Sequence, residues 1–224
     1  MQIVSFYIFH IAKGKKLRAF TQMATFPGEL VHAEGCTFSK MMGSGHGEGF
    51  SIKPNFGVYA AMLVWKDASF INAFETTFQP FLDYLTLTSK VQKIYATPYK
   101  FHGTWDQKTP FVCSQNQPPS LERLILTRAT IKLSKLYKFW KHVPKTSKAI
   151  AKAEGRRFSI GIGEWPWVQQ ATLSIWDSEE YMKNYAYNNE AHLQAIKMTK
   201  DLDWYKEEMF TRFYILHEAN LHSN

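Results

Sequence analysis

Cysteine is scarce in this chain of 224 residues: only Cys36 and Cys113 occur. They stand far apart with no metal-type spacing, which excludes a disulfide framework and points to reduced thiols in a cytoplasmic setting. Long apolar runs are missing as well. No stretch approaches the roughly 18 residues that a membrane-spanning helix requires. The opening Gln2-Ile3-Val4-Ser5-Phe6-Tyr7-Ile8-Phe9 reads as a strand, too short and too polar for a signal peptide. Acidic residues are in deficit, 19 against 27 Lys and Arg, for a formal net charge of +8. Most of the lysines are scattered, so no nucleic-acid partner is expected. The exception is the stretch Lys132 to Lys152, with about one cation per turn on a helix that also carries Leu136, Phe139, Trp140 and Ile150. Such a helix is either a solvated face or a surface that meets anionic lipid, a peripheral contact with the inner membrane.

Several motifs of chemistry are lacking too. The loop Gly43-Ser44-Gly45-His46-Gly47-Glu48-Gly49-Phe50 superficially resembles a phosphate-binding turn. It leads into another strand rather than a helix, and no Lys-Ser pair follows, so a flexible flap over a pocket is the better reading. No hydrolase nucleophile elbow and no zinc-protease motif occurs.

What the chain does contain is one pattern twice. Leu63-Val64-Trp65 passes through Lys66-Asp67-Ala68-Ser69 into Phe70-Ile71-Asn72-Ala73-Phe74, and about 111 residues on, Ser174-Ile175-Trp176 passes through Asp177-Ser178-Glu179-Glu180 into Tyr181-Met182-Lys183-Asn184-Tyr185. Glycine-bearing strands precede both copies, Phe38 to Gly45 and Phe158 to Glu164. Alternation predicts strands near 2–9, 35–42, 56–65, 91–101, 122–133, 157–163, 167–176 and 209–216, and helical spacing predicts helices near 14–24, 67–84, 135–153 and 178–203. Each half reads β-α-β-β-α-β. The expected fold class is α+β, with tandem ferredoxin-like repeats forming, within one chain, the barrel that many small proteins build by dimerising. The expected division is residues 1–120 and 121–217, with Thr104 to Ser120 as linker and 218–224 as a frayed tail.

Residues two apart share a strand face, so the second half separates Ala171, Leu173 and Ile175 from Gln170, Thr172 and Ser174. Arg128 and Arg212 add cationic character. With the apolar face expected against the helices, the polar face should look into the space enclosed by the barrel, as a wet surface or a site for a ligand with negative groups. His192 has Ala195, Ile196 and Thr199 at i+3, i+4 and i+7, an inward-looking helix position. A histidine there is most often a hydrogen-bonded core residue, yet a neutral imidazole on a rigid helix also suits a haem iron. His46, in the glycine loop, is the second histidine of interest.

At these segments the sequence resembles the spheroidene monooxygenase family, the acyclic carotenoid ketolases of purple bacteria. The resemblance runs through Gly43 to Phe50 with Lys53-Pro54-Asn55, Ala61 to Trp65, Leu126-Thr127-Arg128-Ala129-Thr130-Ile131-Lys132, Gly161-Ile162-Gly163-Glu164, Val168-Gln169-Gln170-Ala171-Thr172-Leu173 and Trp204 to Phe213. It implies a haem b-dependent monooxygenase acting on a long apolar polyene, with electrons from an external redox partner such as ferredoxin. It also implies kinship with barrel-type haem proteins that hold iron through a C-terminal histidine, here His192. Arg128 and Arg212 then become the expected partners of the haem propionates, and Gln170 and Thr172 the groups that orient oxygen or substrate. Trp165, Trp167 and Phe50 would exclude water, although ordinary core aromatics read equally well. His46 stands where the resemblance implies a small hydroxyl residue, so it is either a distal acid or a second iron ligand. Two other functions stay open: a haem-dependent dehydratase of the aldoxime dehydratase kind, and a haem carrier or sensor. The assembly expected is a monomer or homodimer.

Overall fold

Strand alternation and two helix-bearing crossovers per half determine the architecture. The computed structural model describes residues 1–47, 51–116, 118 and 120–222, with the backbone alone at 144–149, 190–192, 195, 196, 200 and 222. The first half runs β1 (Ile3–Ile11), α1 (Lys16–Leu30), β2 (Cys36–Gly45), β3 (Pro54–Trp65), α2 (Ser69–Thr77), α3 (Gln79–Leu85) and β4 (Thr88–Gly103). The second runs β5 (Arg123–Ile131), α4 (Leu136–Ala151), β6 (Arg156–Gly163), β7 (Gln169–Trp176), α5 (Glu179–Asn188), α6 (Glu190–Leu202) and β8 (Tyr205–His222).

The eight strands close into one barrel in the order β1-β3-β2-β6-β7-β5-β8-β4. Each half contributes four strands in the same order, β4-β1-β3-β2 and β8-β5-β7-β6, which is the ferredoxin-like arrangement used twice. The two seams differ. β4 and β8 pair over their length, from Lys90↔His222 to Gly103↔Met209, whereas β2 and β6 share only Gly43↔Gly163 and Ser44↔Ile162.

Duplication extends to details. Gly35 and Gly155, both at positive φ, precede β2 and β6. The amide of Lys66 donates to the Gly35 carbonyl at 3.0 Å, and that of Asp177 to the Gly155 carbonyl at 2.8 Å. Both predicted long helices are broken, at Phe78 and at Asn189, where the backbone turns extended (ψ 98° and 115°). These breaks are as far apart in sequence as Trp65 and Trp176. Pro80, in the first turn of α3, favours the restart in the first half.

The barrel interior is apolar and is filled from all eight strands. Phe6, Met62, Ile94, Leu126, Leu173 and Phe213 are fully buried there, and the rings of Phe6 and Phe213 meet edge to face at 5.5 Å. This overturns the expectation that the polar face of the second half looks into the enclosed space. Leu173 and Ile175 point inward, while Ser174 shares the outer, helix-covered face with Trp176, whose Nε1 donates to Ser174 Oγ at 3.0 Å. Two apolar sheet faces facing one another exclude more apolar surface from water than either would against separate helices, so the shared interior takes them.

Two further expectations change. Thr104 to Ser120 is not a loose linker: Trp105 and Phe111 are buried in the barrel, and Gln2 ties the segment down through the Pro110 carbonyl (3.1 Å) and the Val112 amide (2.7 Å). The segment from Glu218 is not frayed up to His222, because it continues β8 along β4.

Candidate functional site in the C-terminal half

The outer faces of the two half-sheets carry different side chains. In the first half, Tyr7, Phe9, Leu63, Trp65, Phe81 and Tyr84 fill the space under α1 to α3, each at most 1% exposed. In the second half the register places Thr127 beside Thr172 and Phe210, Thr172 beside Gly161, and Ala129 beside Gln170. Apart from Phe210, these residues are too small or too polar to fill such a space. Two separate apolar clusters flank them: Ile131, Phe139, Trp140 and Trp204 at one end, and Ile125, Trp176 and Met182 at the other. Between the clusters Thr127 is exposed and Thr172 is only half-buried, although both lie within the barrel wall, while the half-buried Phe210 on the next strand packs against the second cluster. Among the described residues, the second half therefore has between its two clusters a strip, here called the slot, that is less filled than the aromatic core of the first half.

One end of the slot carries a cationic pair. Arg212 Nη1 donates to Glu179 Oε1 at 3.1 Å, and Arg123 Nε lies 3.7 Å from the other oxygen of the same carboxylate. The two arginines are 7% and 4% exposed. Arg212 lies over the Phe210 ring (5.5 Å) and Arg123 over Tyr214 (4.8 Å). Neither Nε has a hydrogen-bond acceptor among the described residues. Burial raises the pKa of Glu179, but Lys183, Arg212 and Arg123 outweigh it and hold the carboxyl below its ordinary value. Two buried guanidiniums sharing one carboxylate leave capacity for a further anion.

Arg128 is not in the slot. It pairs in register with Ala171 and Met209 and projects into the barrel end, where it is ion-paired to Glu207, lies over Trp105 and approaches Asp106 (3.5 Å). Lys40, Asp106 and Glu164 complete this charged plug, with Trp105 Nε1 donating to Glu164 at 2.7 Å. The expectation that Arg128 and Arg212 act together fails because residues separated by an odd strand offset emerge on opposite faces.

Gln170, 8% exposed, and Thr172 lie on the slot floor. His192 falls within α6, and its side chain lies outside the described residues, as does Phe50. His46 is exposed on the β2–β3 hairpin, its amide bonded to the Lys53 carbonyl at 2.9 Å. Trp165 and Trp167 do not form a water-excluding wall: they are 58% and 51% exposed. Sequence reasoning missed Thr127, Arg123 and Glu179. Strand parity alone would have placed Thr127 beside Thr172, whereas the arginine pair needed the register between β5 and β8.

No protein-family model matches the chain. It is similar to spheroidene monooxygenase of Cereibacter sphaeroides, 34% identical over 220 residues covering 96% of this chain and 67% of the relative. To spheroidene monooxygenase of Rhodobacter capsulatus it is 33% identical over 181 residues, covering 80% of this chain and 75% of the relative. Among solved structures, an aldoxime dehydratase aligns over 100% of this chain and 85% of its own, with a TM-score of 0.64 at 9% identity. The aldoxime dehydratase OxdRE, crystallised with butyraldoxime, gives a TM-score of 0.62 at 10% identity, over 100% of this chain and 83% of its own. At such identities the likeness is one of fold.

Proposed function

The chain belongs to the spheroidene monooxygenase family, and from that premise we propose that it is a haem-dependent monooxygenase that oxygenates an apolar polyene of the carotenoid class at the slot in its C-terminal half. The observation that carries this reading is the contrast between the halves: one helix-covered face is packed with aromatics, whereas among the described residues its duplicate leaves Thr127 exposed and Thr172 half-buried between two separate clusters. The slot suits haem b. Its floor residues are small, aromatic side chains stand at its ends, and Arg212, with the Nε of Arg123, whose Nη1 already bonds the Ser120, Leu121 and Glu122 carbonyls, would offer buried donors to haem carboxylates. Arg128, on the other face, has no part in this.

His192 is the residue we assign to the iron. Its position lies two helical turns before Thr199, whose Oγ1 accepts from Trp204 Nε1 at 3.0 Å within the cluster at one end of the slot. Haem, when bound, supplies the activation of dioxygen, with electrons from an external donor such as a ferredoxin. The chain supplies the rest. Thr172 and Gln170 present a hydroxyl and an amide that hydrogen-bond to an oxygen in the slot and fix its orientation. Phe210 and the flanking clusters hold the apolar substrate and exclude water. His46, exposed on its hairpin, is left out of the residues that would hold the iron.

The test is the absorption spectrum of the haem-reconstituted protein, ferric and ferrous with carbon monoxide, for the wild type and His192→Ala. A histidine-ligated spectrum lost in the variant supports the assignment, and reductant-dependent oxygen uptake with an acyclic carotenoid then tests the reaction. Haem uptake that is absent, or unchanged in the variant, overturns it.

A further inference from the structure

Four exposed aromatic side chains lie along the side of the barrel where the β2–β3 hairpin meets the β6–β7 turn and α1. Trp165 and Trp167, in the turn between β6 and β7, are 58% and 51% exposed, and Trp167 adopts φ +65°, a strained conformation for a bulky residue. Trp167 Nε1 donates to the carbonyl of Ile52, which is 54% exposed on the β2–β3 hairpin, at 3.1 Å. Farther along the hairpin, Phe56 meets Phe20 of α1 edge to face at 5.4 Å, the two being about half exposed. Contacts therefore link α1, the hairpin and the β6–β7 turn into one rim that crosses the short seam between the halves.

Exposing this much apolar surface to water is unfavourable, and the two contacting pairs, Trp167 with Ile52 and Phe56 with Phe20, share one hairpin four residues apart. Tryptophan in such a rim matches the boundary between water and lipid, where an apolar ring bears one polar N–H. The charges match too. Exposed Lys53 lies inside the rim and exposed Lys16 reaches Gly57 at its edge, one helical turn from Phe20, while Glu48 of the same hairpin lies outside the described residues. The nearby acid Glu164 is turned inward and held by Lys40 and Trp105. Asp203, at the α4 end, is paired with Lys132.

We propose that this rim docks the protein on the surface of an anionic lipid bilayer, inserting Trp165 and Trp167 at the headgroup level with Lys16 and Lys53 against the lipid phosphates. The docked surface adjoins the slot: the Trp167 carbonyl accepts from Trp140 Nε1 at 3.0 Å, and Trp140 belongs to the cluster at the slot's end. An apolar substrate dissolved in the membrane then meets the slot without crossing water. The docking argument stands on the surface alone, and the apolar-substrate reading explains why it would be useful.

Flotation with pigment-free vesicles tests it, using phosphatidylcholine alone and phosphatidylcholine mixed with phosphatidylglycerol. The wild type floats with the mixed vesicles and is released by salt. Trp165→Ser with Trp167→Ser lowers partitioning roughly tenfold, and Lys16→Glu with Lys53→Glu lowers it by a similar factor on mixed vesicles only. Tyr187→Ser, a substitution of an exposed aromatic on α5, leaves partitioning unchanged. Circular dichroism and melting curves establish that each variant is folded. Binding that ignores the tryptophans or the lipid charge overturns the proposal. So does a wild type that fails to float and sediments as a dimer that the tryptophan substitutions dissociate, since the rim would then join two copies. Neither haem nor carotenoid enters the assay, so its failure is separate from failure of the oxygenase reading.

Discussion

Arg128 and Arg212 emerge from adjacent strands of the same half-sheet on opposite faces, Arg128 into the barrel against Glu207 and Arg212 under α5 against Glu179. One arginine closes the barrel and the other borders the slot. The charge of the second half therefore does two separate jobs, and substitutions at the two positions should separate stability from ligand binding.

Glu207 should govern acid stability. Burial raises its pKa, yet the Gln107 amide, Arg128 and Thr104 together hold the carboxyl down to about 2 from an ordinary 4.5. Its folded pKa is depressed, so its contribution is complete above about 4.5 and is lost as the pH falls towards about 2. Thermal melts of the wild type across that window should show a fall in Tm that Glu207→Gln flattens. Arg128→Met should cost roughly 1–3 kcal/mol at neutral pH, because it removes the buried cation beside Glu207 while Thr104 and the Asp106 and Gln107 amides still bond that carboxylate.

Arg212→Met should behave differently. The remaining partner, Glu179, is partly solvated and keeps Lys183 and Arg123 within reach. We expect a stability loss of about 1 kcal/mol with haem uptake weakened at least tenfold, as propionate pairing would require. Spectrophotometric haem titration beside urea unfolding separates the two effects.

Filling the slot should imitate the first half. Thr127→Tyr places an aromatic side chain where the duplicate position, Tyr7, already carries one, since Thr127 faces Thr172 as Tyr7 faces Ala61; stability should change by no more than about 1 kcal/mol while haem uptake is abolished. A large loss of stability would mean that the strip over Thr127 has no room for a ring.

Two glycines should be equally intolerant. A Cβ on Gly35 would lie 2.2 Å from the Phe70 ring, and one on Gly155 would lie 2.2 Å from the Tyr181 ring, both at positive φ. Gly35→Ala and Gly155→Ala should each destabilise the protein by about 1–3 kcal/mol in denaturant melts. Gly14→Ala, also at positive φ but with open space around it, should cost less.

All eight strands were legible because each is a run of alternating or continuous apolar residues bounded by turn residues, and burial reinforces that pattern. Helix interruptions were not. Phe78 and Asn189 sit within helical spacing; Pro80 in the first turn of α3 was the one local signal of a restart, and the second half has no counterpart to it at Asn189. The tail from Glu218 reads as polar and short of apolar residues, but a strand at a seam is held by backbone bonds to β4, which side-chain composition does not report.

The same limit applies to the site. Sequence by itself determined the duplication, the strand parity that groups Gln170 with Thr172, and the α+β class, because these depend on local spacing. Tertiary structure decided which face of each sheet is inside. Once two apolar faces are available they bury one another, and the polar face of the second half is left under the helices, where Thr127 is exposed and Thr172 half-buried in the slot. It also decided that Arg212 keeps company with Arg123 rather than Arg128, since register between strands distant in the chain is set by barrel closure and not by any local run of residues.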